Sequence, residues 1–163
     1  MSSKTDNEAG LDIEDSFRLF DGRQSPTAAA VQRGCGRLLA QMNYTALTEL
    51  TLATGRRADI IALGPRGEII IVEIKSSLTD YLTDGKWEEY LDFCDRFFFA
   101  VPPDFPREVI PLEVGLIIAD KYDAEILREG EHDAALPPAR RKALTLQYAR
   151  VAARRVYRFL DPD

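Results

Sequence analysis

The spacing of apolar and polar positions along the chain predicts an α/β fold. Three runs rich in β-branched residues are joined by short turns, which predicts an antiparallel β-meander. A helical segment then leads to further apolar runs, so the fourth strand can lie parallel to the third. The predicted strands are 44–52, 58–63, 68–77, 97–102, 115–120 and a short sixth around 122–127. The predicted helices are 26–42, 79–95 and a long one that ends near residue 160. We therefore expect a mixed central β-sheet flanked by helices.

The start of the first helix has a clear sequence signal. Ser25 supplies a capping hydroxyl, and Pro26 suits the first helical position. Gly34 and Gly36 weaken the helix interior, and a close contact with the neighbouring sheet would account for both.

Length and composition predict one globular domain. A chain of 163 residues with 45% hydrophobic residues can bury a sizeable core. Residues 1–24 are acidic and weakly patterned, so we expect a loosely ordered tail followed by a single domain over 25–163. Neither a signal peptide nor a membrane-spanning apolar run is visible, which predicts a cytoplasmic protein without membrane contact.

Cysteine and histidine usage narrows the chemistry. Cys35 and Cys94 lie in predicted helices without a metal-binding spacing, so we expect buried, reduced thiols. The single histidine, His132, cannot build a multi-histidine metal site and argues against a histidine-centred triad. Acid–base or metal chemistry must therefore use carboxylates and lysine.

Charged residues interrupt two of the predicted strands. Glu73 and Lys75 are two residues apart in the third strand, so they share a face. Asp59 begins the second strand, and antiparallel pairing across the turn at 64–67 brings it near Glu73. Two adjacent carboxylates repel unless a cation lies between them, and magnesium favours such oxygen ligands. A nearby lysine suits phosphodiester hydrolysis, in which negative charge builds up on the phosphate.

These residues resemble the PD-(D/E)xK nuclease signature. The resemblance implies a restriction-endonuclease-like core, with Asp59 and Glu73 as magnesium ligands and manganese as a substitute metal. It also implies the main-chain carbonyl of Ile74 as a further ligand and Lys75 as the residue that positions the water. Ala58 stands where the signature has proline, a position that shapes the turn and does no chemistry.

A longer stretch of the chain is similar to the MmcB family of DNA-repair endonucleases. The similarity covers about residues 44–120 and includes ELTLATGRRADIIAL and IVEIKSSLTDYLTDGKWEEYLDFCDRFFFAV. It implies a magnesium-dependent deoxyribonuclease of DNA repair, associated with the nucleoid and with DNA as its partner. A homodimer or a repair-protein partner stays open.

Several further residues are candidates for the site, each with a simpler alternative. Glu49 in the first strand could join the metal site, or it could be a surface acid. Gln32 lies in a segment from which some relatives contribute an acid or glutamine, although helices carry many neutral polar residues without a special role. Ser76 and Ser77 could hold a phosphate, or they could cap the next helix, and both roles can hold together.

Basic residues define the expected DNA contacts. Arg56 and Arg57 precede Asp59 in the turn where a DNA strand would enter, although turn arginines are often merely solvated. Lys86 could reach the phosphates, whereas packing is the stronger reading for the adjacent Trp87.

The distribution of charge points to the last helix. The net charge of −6 argues against indiscriminate DNA binding, but residues 137–160 carry seven basic residues and no acid. Arg150, Arg154 and Arg158 recur at helical spacing and could track a DNA backbone, or they could form a solvated helix face.

Two other functions remain open at this point. The fold could serve as a catalytically weak or inactive DNA-binding or partner-binding module of a repair complex. Alternatively, Glu73 and Lys75 could form only an internal ion pair, a reading that leaves Asp59 without a partner.

Overall fold

A mixed six-stranded β-sheet with its strands in chain order forms the centre of the protein. The computed structural model describes residues 24–132 and 134–163. Strands β1 to β3 are antiparallel, β3 to β5 are parallel, and β6 is antiparallel to β5. The strands are β1 Thr45–Thr51, β2 Arg57–Leu63, β3 Ile69–Ile74, β4 Arg96–Val101, β5 Gly115–Ala119 and β6 Ala124–Arg128. The predicted meander, crossover and mixed sheet are thereby confirmed.

Helices cover both faces of this sheet. The α-helices of the described residues are α1 Pro26–Gln41, α2 Leu78–Thr83 and α3 Pro138–Leu160, with short 3₁₀ helices at Trp87–Phe93 and Arg107–Val109. All six residues of β3 are buried, as expected for a strand covered on both sides. One core cluster contains Cys94 and includes residues of α3 and the first 3₁₀ helix. The other contains Cys35 and packs α1 against the opposite side of the central strands.

Helix α1 begins and packs as its sequence predicts, with one exception. The Ser25 hydroxyl accepts a hydrogen bond from the Ala28 amide at 3.1 Å, so the predicted cap is confirmed. A Cβ on Gly34 would lie 2.2 Å from the carbonyl oxygen of Asp120, so the predicted close contact is also confirmed. A Cβ on Gly36 would meet no atom of the sheet, or of any other described residue, within 4 Å, so the same explanation is wrong for that glycine.

The prediction of a single helix over 79–95 is wrong, because the helix ends at Thr83. Helix α2 has only six residues, and Asp84 ends it in an extended conformation. Gly85 lowers helix propensity at the break, and the Asp84 side chain forms ion pairs outside the helix, with Arg56 and Lys75. Cys94 accordingly follows the 3₁₀ helix in an extended conformation and does not lie in a helix. It is nevertheless buried and reduced, as predicted.

Helix α3 crosses one face of the sheet and reaches the edge strand β1. Near its start, Arg141 forms a bidentate ion pair with Asp95, with N–O distances of 2.6 and 2.7 Å. Farther along, the Tyr148 hydroxyl donates to the Thr45 carbonyl at 2.8 Å.

None of the helices in the described part of the chain is long and apolar enough to cross a membrane. The predicted acidic tail over 1–24 lies, apart from Gln24, outside the described residues.

Candidate active site

The open end of the β2–β3 hairpin brings Asp59 and Glu73 together. The antiparallel register pairs Ile60 with Val72, so Asp59 and Glu73 are the next facing positions. The Asp59 Oδ2 atom accepts a hydrogen bond from the Ile74 amide at 2.7 Å. This bond extends the contact between the two strands beyond the last regular pair. The expected approach of the two acids is therefore present in the structure.

The two carboxyl groups strongly influence each other's ionisation. Burial raises the pKa of Asp59, against the opposing effects of the Ile74 amide, Glu73 and the Lys75 charge. Burial, followed by the charge and hydrogen bond of Asp59, raises the pKa of Glu73 well above its usual range. Glu73 is 6% exposed, and its Oε2 atom has no hydrogen-bond partner among the described residues. Such a buried acceptor is costly unless a cation or a proton satisfies it.

Lys75 lies beside this pair, one residue after the end of β3. Its side chain is 3% exposed, and its main-chain amide donates to the Ala100 carbonyl at 2.9 Å. The Lys75 Nζ atom forms an ion pair with Asp84 Oδ2 at 3.2 Å. The lysine is thus paired with Asp84, and the alternative of an exclusive internal pair between Glu73 and Lys75 is wrong.

Asp84 links Lys75 to Arg56 and was missed by sequence reasoning. The Arg56 guanidinium bonds Asp84 Oδ1 at 2.8 Å and lies 4.9 Å from the centroid of the Tyr90 ring. Burial disfavours the charge on Asp84, but the hydrogen bonds from Lys75 and Arg56 outweigh it and lower the pKa of this carboxyl. Arg56 is therefore engaged in a network that holds the lysine, and its predicted DNA contact stays a prediction.

A cavity of about 390 Å³ opens over these groups. Asp80, a second acid that sequence reasoning missed, reaches it from the first turn of α2 and accepts from the Ser76 amide at 2.9 Å. The only sequence signal for Asp80 and Asp84 was their place just after the strand that carries Glu73. The cavity is lined by Gln24, Ser25, Ala28, Glu49, Arg57, Asp59, Glu73, Ile74, Lys75, Ser76, Asp80 and Asp84.

Glu49 lines the same cavity, but its carboxylate is held by Arg57. The Arg57 Nε atom lies 2.6 Å from Glu49 Oε2. Within residues 24–132 and 134–163, no three His, Cys, Asp or Glu side chains form a group that could hold a metal ion. The place of Glu49 among metal ligands therefore stays a prediction. Gln32 faces a neighbouring cavity and accepts a hydrogen bond from the Gln24 side chain.

The other predicted residues are distributed around the site. Ser77 caps α2 by accepting from the Asp80 amide at 3.1 Å, so its capping role is confirmed. Ser76 lines the cavity, and Lys86 is exposed beyond the break in the helix. Trp87 stacks on Phe97 with ring centroids 5.7 Å apart, which confirms core packing for this residue.

The three arginines that were predicted to track a DNA backbone all lie on helix α3. Arg150 and Arg158 are exposed, and Arg154 is half-buried. Arg155, on the same helix, is 5% exposed and was not predicted from the sequence. Its guanidinium donates to the Thr48 carbonyl and, at 3.0 Å, to the Glu49 carbonyl. Helix α3 is thereby attached to the strand that carries Glu49.

Comparison with known proteins places the chain in a family. A protein of unknown function from Silicibacter pomeroyi, SPO1766, is 44% identical, with a TM-score of 0.81 over 85% of this chain and 94% of that chain. A repair endonuclease from Pyrococcus abyssi is 15% identical, with a TM-score of 0.34 over 53% of this chain and 41% of that chain. None of the curated proteins compared with the chain matches it. The model of the MmcB-like DNA repair proteins matches residues 15–163. The chain therefore belongs to the MmcB-like DNA repair protein family.

Proposed function

We propose that this protein is a metal-dependent nuclease that hydrolyses phosphodiester bonds in DNA repair. The observation that carries the proposal is the convergence of Asp59, Glu73 and the buried Lys75 at one open cavity. Membership of a DNA-repair family supports DNA as the substrate. An endonuclease that uses Mg²⁺, with Mn²⁺ as a substitute, fits this set of residues best.

The chemistry of the two acids fits a magnesium ion. Mg²⁺ typically uses one or two protein carboxylates and keeps several waters or substrate phosphate oxygens as its other ligands. Asp59 and Glu73 supply two carboxylates. The Oε2 atom of Glu73 has no hydrogen-bond partner in the described part of the chain, so it is an acceptor that a cation would satisfy. The Ile74 amide points toward Asp59, and the carbonyl of an extended residue points to the same side as its amide. That carbonyl is therefore the proposed third protein ligand.

The residues of the chain would divide the work as follows. Asp59 and Glu73 would hold the metal, which when bound would polarise the phosphodiester and favour ionisation of an attacking water. Lys75 orients that water or stabilises the charge that develops on the phosphate. Asp84 keeps the Lys75 ammonium in place through its 3.2 Å ion pair. Because Lys75 is buried, its orientation depends on this pair more than an exposed lysine would.

Incubation of the purified protein with Mg²⁺ and single-stranded, nicked, flapped and branched DNA tests the proposal. We expect cleavage by the wild type and a loss of at least about a hundredfold in Asp59→Asn, Glu73→Gln and Lys75→Met, because each removes a charge that acts on the reacting phosphate. Asp84→Asn should retain more activity than Lys75→Met, since it misplaces the lysine without removing it.

Glu125→Gln is the matched control, because Glu125 is an exposed acid on β6, at the opposite edge of the sheet. It should cut DNA at the wild-type rate. Cleavage that survives in Asp59→Asn and Lys75→Met would refute the nuclease assignment. DNA binding without cleavage under several divalent metals would favour the alternative of a non-catalytic binding module.

A further inference from the structure

Strand β1 contains a kink at Glu49, the strand residue that lies opposite Asp59. The register pairs Thr48 with Ile60 and Leu50 with Ala58, so Glu49 and Asp59 are the positions between them. Glu49 has a φ of 58°, a left-handed conformation that is strained for a residue other than glycine. Leu47 and Leu50 belong to the same core cluster, although residues three apart in a regular strand face opposite sides. The kink therefore reverses the alternation of β1 where the strand passes the candidate active site.

Arg155 holds this kink from the facing helix. Its side chain is almost completely buried, and both terminal nitrogens donate to main-chain carbonyls at the kink, those of Thr48 and Glu49. A buried guanidinium is costly unless its donors are satisfied, and kinked strands release carbonyls from the regular ladder. The two requirements are met together, so the conformation of Glu49 depends on Arg155.

The kinked residue in turn holds Arg57. The Glu49 carboxylate contacts the Arg57 Nε atom at 2.6 Å, and the Arg57 side chain is 39% exposed. Both residues line the cavity that contains Asp59 and Glu73. An arginine at the mouth of such a cavity carries several donors in a planar group that matches the oxygens of a phosphate.

We propose that Arg155 is a positioning residue: it holds the kink at Glu49 so that the Glu49 carboxylate presents Arg57 to a backbone phosphate of DNA entering the candidate active site. The inference rests on the proposed function, because it assumes that DNA enters this cavity. It makes Glu49 the partner of a phosphate-binding arginine. It also connects the far end of α3 to the chemistry at β2 and β3.

The salt dependence of DNA binding tests this chain of contacts. Fluorescence anisotropy with a labelled single-stranded and a labelled duplex oligonucleotide would be measured in EDTA over a range of KCl concentrations. Arg57→Gln should weaken binding several-fold and reduce the slope of log K against log salt by about one, the effect of losing one phosphate contact. Arg155→Met should produce most of the same change in slope, and the double variant should be no worse than Arg57→Gln.

Two further variants separate positioning from stability. Glu49→Gly keeps the left-handed backbone but removes the carboxylate, so it should reproduce the loss of slope in a fully folded protein. Arg155→Lys should recover part of the slope, because an ammonium can still donate to the carbonyls. These two variants also serve if Arg155→Met does not fold.

Arg128→Met is the matched control for a lost arginine clamp. Arg128 donates to the carbonyls of Val114, Ile110 and Pro111 at 2.8 to 3.2 Å, far along the sheet from β1. Its loss should lower the melting temperature without changing the salt slope. An unchanged slope in Arg57→Gln, or an Arg155→Met variant that loses stability alone, would overturn the inference while DNA cleavage by the wild type still stands. A wild type that neither binds DNA in EDTA nor cuts DNA with Mg²⁺ would overturn both proposals.

Discussion

Among single residues, Glu73 combines a buried position with an acidic side chain. Its position opposite Asp59 could be predicted because an acid within a run of isoleucine and valine is anomalous, and a short turn fixes the register of the two strands. The partner of Lys75 could not be predicted in the same way. Asp84 reaches the lysine only because the helix after β3 breaks, and nothing in the spacing of these residues specifies that contact.

We expect Glu73→Gln to stabilise the metal-free protein increasingly as the pH rises. Because the pKa of Glu73 is raised by folding, the folded state binds more protons than the unfolded state between the ordinary and the raised pKa. Wild-type stability therefore falls as the pH rises through this window, whereas glutamine does not titrate. Urea unfolding in EDTA should show a gain of about 1–3 kcal/mol at the alkaline end, the cost of an unsatisfied buried group. A gain that is independent of pH would contradict this explanation.

Among the helices and strands, local signals identified the type of most elements but not their contacts. The cap at Ser25 and the β-branched run of β3 are local features, and both were found where the sequence indicates. The break after Thr83 and the kink at Glu49 both lie where a side chain from a distant segment makes contact, Arg56 at the first and Arg155 at the second. Periodicity along the chain reflects only residues that are close in sequence, so it predicts neither the break nor the kink.

The two glycines of α1 should respond to alanine in opposite directions. In Gly34→Ala the new Cβ would lie 2.2 and 2.6 Å from two main-chain carbonyl oxygens, which cannot move without shifting the β5–β6 turn. We expect the free energy of unfolding to fall by about 1–3 kcal/mol. In Gly36→Ala the new Cβ meets no atom of residues 24–132 or 134–163 within 4 Å, and the variant should gain up to about 1 kcal/mol from helix propensity. Urea unfolding of both variants tests the pair, and equal effects would show that α1 does not pack as described.

For the whole molecule, the sheet divides the interior into two clusters with one cysteine in each. Cys35 belongs to the cluster under α1, and Cys94 belongs to the cluster under α3 and the first 3₁₀ helix. The mixed topology followed from the connections between predicted strands. The cluster to which each thiol belongs could not be predicted from these connections. Cys94 lies just beyond a helix that was predicted to be longer than it is.

Neither thiol should react with a disulfide reagent in the folded protein. Burial raises the pKa of both cysteines to about 12, so almost no reactive thiolate forms at neutral pH. Reaction with Ellman's reagent should therefore begin only on unfolding, and both thiols should react at the same rate because one sheet supports both clusters. A Cys35→Ser variant distinguishes the two signals. Faster reaction of one thiol in mild urea would show that its side of the sheet opens separately.

The hairpin that carries Asp59 and Glu73 has a consequence for how the chain reaches its native state. Both acids lie at its open end, and only the short turn between β2 and β3 separates the two strands in sequence. We expect contacts this local to form early during folding, because closing a short loop costs little entropy. Repulsion between the carboxylates therefore opposes an early event, and a divalent ion or a proton that relieves it would speed the search for the native structure. The same two charges that would bind a metal in the native protein would thus make the refolding rate sensitive to that metal.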